Sequence, residues 1–382
     1  MPPLRTLLAL PVSLALLGLA PTGSVAAGPP PSDTVLSRFV GRGKAPAAAL
    51  LAHEGSVSRF AHAEPEAEAE AATRPDAASG TAAPAPADAI RPTDRFRAGS
   101  ITKTFIAAVV LQLAAEHRLF LSDSVDSHLP GLVRGAGTDG RALTLRALLT
   151  HTSGLADFTA VTRGSVPLTP VQAVRIALTL PQSRLRSTGG TPIPAPRGLF
   201  AYSNTNYVLL GMIVEQVTGR SYAAEAMRRL ITPLRLTGTS FPGSRRSLPE
   251  PHGRAYAADG SDVTDLDPRV AGAAGELVTT LADLNRFYAA LLGGDLLPPR
   301  QLREMLDTRT AHGSYGMGLY PVKLPCGTTV WGHNGRIAGS YVRTAATPDG
   351  RRVLTFRVNT DATADPDLEP ALLAAEFCPR TS

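Results

Sequence analysis

Apolar positions change their spacing several times along the 382-residue chain. Leu7 to Ala20 is a nearly unbroken apolar run, behind a basic start and ahead of the small residues Val25-Ala26-Ala27. That layout, too short for a comfortable membrane span, predicts a secretory signal peptide over residues 1–27. The mature protein is then expected to be residues 28–382, secreted and without a stable membrane anchor. Past a Pro-rich lead, Val35 to Val40 predicts the start of a helix. Ala45 to His53 and Ser56 to Ala61 flank Glu54-Gly55 and predict a hairpin. Residues 64–92, rich in Ala, Pro and Glu, have little to bury and predict a low-complexity surface insertion.

Helical periodicity dominates the middle. It predicts helices over Thr102 to Glu116, Leu145 to Leu149 and, with Thr169-Pro170 as its start, up to Leu180. Gly189 to Gly198 reads as a Pro-rich loop. Asn204 to Thr218, stopped by Gly219, reads as a helix, as do Tyr222 to Ile231, Leu281 to Leu292 and Arg300 to Leu306. The last third changes period. Tyr315 to Leu324, Thr328 to Gly332, Ser340 to Thr347 and Arg352 to Asn359 predict strands, with a turn at Pro348-Asp349-Gly350 and a closing helix over Pro366 to Phe377. Strands at both ends and helices between them predict an α+β fold: an antiparallel sheet flanked by helices, with an inserted, mostly helical lobe.

Composition narrows the function classes. With 43% hydrophobic and 18% charged residues the chain is not globally disordered. Two cysteines, Cys326 and Cys378, exclude a disulfide miniprotein. In an exported protein they are expected to pair, and closing a loop of about 50 residues stabilises by roughly 4 kcal/mol. The formal charge of +6 comes from scattered Arg residues without an aromatic-basic cluster, so no nucleic-acid partner is expected. Gly135 to Gly140 matches a dinucleotide-binding glycine pattern but sits in a polar turn rather than after a strand. No cofactor is expected, and the eight His residues show no metal-ligand spacing.

Three stretches carry chemistry. Ser100 precedes a strongly apolar helix, and Lys103, three positions on, shares its face. A helix start offers free N–H donors to a developing oxyanion. Tyr202-Ser203-Asn204 sits before a second apolar helix. Trp331-Gly332-His333-Asn334-Gly335 lies on a predicted strand, where Gly335 permits close backbone approach. Each alone is as well explained by a cap or a turn.

In order, however, S-x-x-K, Y-x-N and H-x-G resemble the active-site serine penicillin-recognising hydrolases of the β-lactamase family. The Tyr and His variants are similar to class C β-lactamases and, more closely, to the secreted Streptomyces-type D-Ala-D-Ala carboxypeptidases. Asp94 to Lys103, His151-Thr152-Ser153-Gly154-Leu155 and Tyr315-Gly316-Met317-Gly318 support the resemblance, which covers roughly Ala45 to Cys378. Departures include Gly275-Glu276-Leu277, where two glycines are usual, and Asn334, where Thr is more common. Arg336, directly after the motif, is a candidate replacement for the lost carboxylate anchor.

The resemblance implies that Ser100 forms an acyl-enzyme and that Lys103 and Tyr202 are catalytic, with Tyr202 the leading general base. It implies that Asn204 donates to the acyl-side amide, that His333 lies near Tyr202, and that the oxyanion sits between the amides of Ser100 and Arg336. His333, Asn334, Gly335 and Arg336 complete the substrate-binding set. The residues alone leave the base open between Lys103 and Tyr202, which titrate as a coupled pair. The implied partners are a D-alanyl peptide or other acyl substrate and β-lactams, handled by a monomer. A class C-like β-lactamase and a small-ester esterase are the alternatives within enzymes. A penicillin- or peptide-binding module without turnover is the alternative outside them.

Overall fold

A six-stranded sheet joins the two ends of the chain in the computed structural model, which describes residues 31–65, 90–135, 137–181, 184–186, 192–194, 198–361 and 365–379. The signal-peptide expectation, and all of the acidic insertion but its ends, lie outside the described residues. The strands are β1 (Ala48–Glu54), β2 (Val57–Ala63), β3 (Tyr320–Lys323), β4 (Thr329–Ile337), β5 (Ser340–Ala346) and β6 (Arg352–Val358). Their order is β2-β1-β6-β5-β4-β3, antiparallel throughout. The N-terminal hairpin thus docks on the last strand, with Ala48 opposite Val358 and Glu54 opposite Arg352.

Period-two alternation divides the central strands between two cores. Ala48, Leu50, Leu354, Phe356 and Val358 face one side, covered by helices α1 (Pro31–Gly41) and, at the chain end, Leu368–Phe377. Ala49, Val342, Ala346 and Val353 face the other. There the strands pack on α4 (Leu281–Gly293), and the same core continues through α2 (Thr102–Ala115) to α3 (Asn204–Thr218), which packs on α2. Because both faces are covered, β1 reads as the near-continuous apolar run Ala48-Ala49-Leu50-Leu51-Ala52 rather than as an alternation. Helix α2 is apolar on every side, as a helix surrounded by other elements must be. The helices between α2 and α4 form the inserted lobe, and the cleft lies where that lobe meets the β4 side of the sheet.

Three expectations change. The predicted strand Tyr315 to Leu324 shrinks to Tyr320–Lys323. Gly318, at φ +78°, packs on α2 so closely that a Cβ would lie 2.7 Å from that of Ala107, and its carbonyl accepts from Thr104. The segment before β3 is therefore a turn docked on α2. The strand predicted over Thr328 to Gly332 instead continues to Ile337, so β4 carries the whole third motif. Part of the Pro-rich loop forms a short hairpin, with Pro192–Pro194 pairing against Arg184–Arg186. Cys326, between β3 and β4, is bonded to Cys378 after the last helix.

Candidate active site

Ser100 sits on the one-turn 3-10 segment Gly99–Ile101 that leads into α2. Two glycines explain how this turn meets β4. Gly99 has φ +52°, and a Cβ there would lie 2.7 Å from the Arg336 amide nitrogen. A Cβ on Gly335 would lie 1.8 Å from the Ala98 carbonyl oxygen. Only two bare backbones can cross this closely. The crossing brings the Arg336 amide beside the Ser100 turn, an arrangement that could serve an oxyanion.

Lys103 follows one turn later, 0% exposed. Its Nζ lies 2.9 Å from Ser100 Oγ, 2.8 Å from Asn204 Oδ1 and 2.6 Å from the Ala274 carbonyl oxygen. Burial lowers its pKa to about 7, with the Asp157 charge opposing the shift. The Tyr202 hydroxyl donates to Ser100 Oγ from the other side at 2.8 Å. The Tyr202 side chain is partly exposed, and the burial of the rest pushes its hydroxyl above the usual phenol range, with the Ser100 bond opposing. Ser100 Oγ is thus held between an amine whose pKa burial lowers and a phenol whose pKa burial raises.

Asn204 is the first residue of α3. Its Nδ2 donates to Asp157 Oδ2 at 2.9 Å and to Thr159 Oγ1 at 3.2 Å. Both amide hydrogens have acceptors, so in this state Asn204 orients Lys103 and offers nothing to an acyl-side carbonyl. His151 lies beneath the site, with ring centroids 4.2 Å from Tyr202 and 4.9 Å from Tyr315. Its Nδ1 faces the Ser203 amide at 3.2 Å and Asn206 Nδ2 at 3.0 Å. The Ser203 amide can only donate, so Nδ1 accepts and the proton belongs on Nε2.

The third motif places His333 at 1% exposure, its ring 6.4 Å from that of Tyr202. His333 does not hydrogen-bond Tyr202. Its Nε2 pairs with the Tyr315 hydroxyl at 2.8 Å and its Nδ1 with the Asn334 carbonyl. A carbonyl only accepts, so Nδ1 donates to it and Nε2 accepts from Tyr315. Burial, reinforced by Lys103, lowers the His333 pKa to about 3, so the ring is neutral at physiological pH. Asn334 Oδ1 accepts from the Tyr320 hydroxyl at 3.0 Å. Arg336 is exposed on the cleft.

The structure therefore places Ser100, Asn204 and Arg336 on the lining of one cleft of about 390 Å³, with Lys103 and Tyr202 bonded to Ser100 Oγ, Gly335 backed against Ala98 and His333 a ring away from Tyr202. Sequence reasoning missed Asp157, Thr159, the Ala274 carbonyl and Asp361. The site partners of the first three lie 45 to 171 residues away, Asp361 has none among the described residues, and no motif announces any of the four. Among the described residues no cluster of His, Cys, Asp or Glu could hold a metal ion.

A family model described as Beta-lactamase matches residues 33–378. The chain belongs to the β-lactamase family. This family of serine hydrolases includes penicillin-binding proteins and amidases. Penicillin-binding protein 4 of Amycolatopsis lactamdurans is 31% identical over 285 residues, 65% of this chain and 68% of that protein. PbpX of Bacillus subtilis (strain 168) is 28% identical over 232 residues, and the match spans about half of that relative, 54%. Among solved structures, a D-stereospecific amidohydrolase from Streptomyces sp. superposes with a TM-score of 0.76 at 36% identity, covering 92% of this chain and 99% of that one. A D-amino acid amidase from Ochrobactrum anthropi SV3 gives 0.72 at 24% identity, covering 90% and 97%, a likeness of fold. The expected α+β architecture of this β-lactamase-family chain is shown by both its sheet topology and these superpositions.

Proposed function

We propose that the protein is an exported serine acyl hydrolase that cleaves an amide at a D-configured residue, as in D-alanyl peptides, and is acylated by β-lactams. The observation that carries this reading is the proton inventory around Ser100. Lys103 Nζ touches two groups that can only accept, Asn204 Oδ1 and the Ala274 carbonyl. A neutral amine spends its two N–H bonds there and aims its lone pair at the Ser100 hydroxyl, 2.9 Å away. Tyr202, protonated, points at the same oxygen.

The chemistry follows in balance. The Ser100 proton passes to Lys103 as the Oγ–carbonyl carbon bond forms, and the oxyanion rests near the amides of Ser100 and Arg336. Collapse breaks the carbon–nitrogen bond while Tyr202 protonates the departing amine, and the proton on Lys103 restores that pair. Water then attacks the ester, gives its proton to the same pair, and Oγ leaves with a proton regained. The family resemblance puts the base at Tyr202; the buried amine and the raised phenol support Lys103 instead, with Tyr202 as acid.

Export is supported by the basic and apolar start of the chain and by the Cys326–Cys378 bond, suited to an oxidising compartment. A monomer suffices, because all the gathered groups come from one chain. Similarity to the Streptomyces amidohydrolase supports amide cleavage at a D-centre over the hydrolysis of β-lactams alone.

Intact-mass analysis of the mature protein with a penicillin, with Ser100→Ala as control, tests the reading. A lasting adduct that Ser100→Ala lacks is the expected result. An adduct that clears as the antibiotic is consumed would make the protein a β-lactamase. With neither adduct nor antibiotic consumption, cleavage of short esters but not of D-aminoacyl amides would make it an esterase. Failure of Ser100 to react with any acyl donor would leave a binding module and overturn the proposal.

A further inference from the structure

The cleft has two ends, and Tyr202 tells them apart. As the acid for the departing amine, Tyr202 marks the leaving-group end, on the side of His333 and Asn334. Strand β4 then runs past the oxyanion position at Arg336 to Ile337 and the turn residue Ala338. The acyl part of a substrate extends that way. At this end lies Asp361, just beyond β6, lining the same cleft as Ser100, Ile337 and Ala338.

Asp361 differs from the other acids near the site. Asp157 spends its carboxylate on Asn204 and Thr159. Glu276, behind the wall, accepts from Tyr222. Asp361 has no ion pair or hydrogen bond among the described residues, and its Oδ1 is shielded from solvent without a partner. A carboxylate oxygen withdrawn from water without a donor is costly unless a ligand supplies one. The donor that a β-lactamase-type cleft would offer an N-acylated substrate is meanwhile missing, because both Asn204 amide hydrogens are taken.

From this pairing we infer that Asp361 is a specificity residue that binds a free ammonium on the acyl donor. The preferred substrates are then D-aminoacyl amides or peptides with an unblocked α-amine, rather than N-acylated ones. The inference rests on the hydrolase reading above and narrows it. The ammonium forms a charge-assisted bond to Asp361, while Arg336 and Arg163, the cations on the cleft, are left for carbonyl or carboxylate oxygens elsewhere on the ligand.

The test compares D-phenylalanine p-nitroanilide with its N-acetyl derivative, in the wild type, Asp361→Asn and Ser100→Ala, each checked for cooperative unfolding. The wild type should favour the free amine in kcat/KM by about tenfold or more, the usual worth of a hydrogen bond to a charged group. In Asp361→Asn that ratio should fall to within about threefold of unity. A merely structural role for Asp361 would slow both substrates alike and keep the ratio. An equal or reversed preference in the wild type, or an unchanged ratio in Asp361→Asn, overturns the inference while Ser100-dependent cleavage leaves the hydrolase reading standing. Absence of Ser100-dependent reaction with either anilide, a penicillin or a short ester removes both.

Discussion

The floor and the rim of the cleft are built on opposite rules. On the floor, Lys103 and His333 are buried and each polar atom that meets Ser100 has fixed partners. On the rim, Arg163, Arg336 and Asp361 have no ion-pair partner among the described residues. One physical cause, removal from water, gives the floor its chemistry. It disfavours whichever form is charged, so it moves Lys103 down to about 7, His333 down to about 3 and Tyr202 up. On the rim Arg163 and Arg336 are exposed and Asp361 keeps one shielded oxygen without a partner, so all three are left to meet a ligand. Floor variants should therefore change the rate of bond making, and rim variants should change which ligand is taken.

The largest effect is expected from Lys103→Met. Acylation should fall roughly 10³-fold, the scale of a lost general base, measured by rapid-quench mass analysis. The same variant should alter the pH dependence of stability. Between pH 7 and 10.5 the folded chain has lost a proton that the unfolded chain keeps. Stability of the wild type should climb across that window, by at most about 1.4 kcal/mol per pH unit. Denaturation of Lys103→Met at pH 7 and pH 9 should show a flatter climb.

Tyr202→Phe sharpens the division of labour within the floor. Amide cleavage should slow by about 10²-fold, while a p-nitrophenyl ester, whose leaving group needs no proton, should lose much less. Equal losses on both substrates would return the base role to Tyr202. Asp157→Asn tests the one charge that opposes burial at Lys103. Its loss should move the acid limb of acylation to lower pH by up to about one unit, read from the rate profile. Arg163→Gln, on the rim, should change KM for a carboxylate-bearing donor only about two- to threefold, and this difference should fade in salt.

Much of this contrast was legible in the sequence, for reasons of distance along the chain. Lys103 three residues after Ser100 on a helix that is apolar all round already announced a buried amine. The three motifs, in order, announced the family. The orientation of Asn204 was not legible, because Asp157 and Thr159, which claim its amide hydrogens, come from a separate segment at the start of the short helix Thr159–Thr162. The expectation that Asn204 donates to substrate therefore met a side chain already engaged. The misjudged start of β3 has a similar cause. Tyr315 to Leu319 alternates large apolar residues with Gly316 and Gly318, and the contact of Gly318 with α2 makes it a turn rather than a strand. Cys326 and Cys378 pair as expected. Glu276, recognised only as a departure from a glycine, proves to be a buried acid raised to about 7 and bonded to Tyr222.

The most direct test of the account is the pH profile of the single-turnover acylation rate between pH 5.5 and 9, with Glu276→Gln run alongside. The neutral-Lys103 assignment predicts a rate that falls tenfold per unit below a midpoint near 7 and is flat above it. Because His151 and His333 are both depressed by burial, neither supplies that midpoint, and Glu276→Gln should keep it. A rate that still rises tenfold per unit up to pH 9, or a midpoint that vanishes with Glu276, would contradict Lys103 as the group that takes the Ser100 proton.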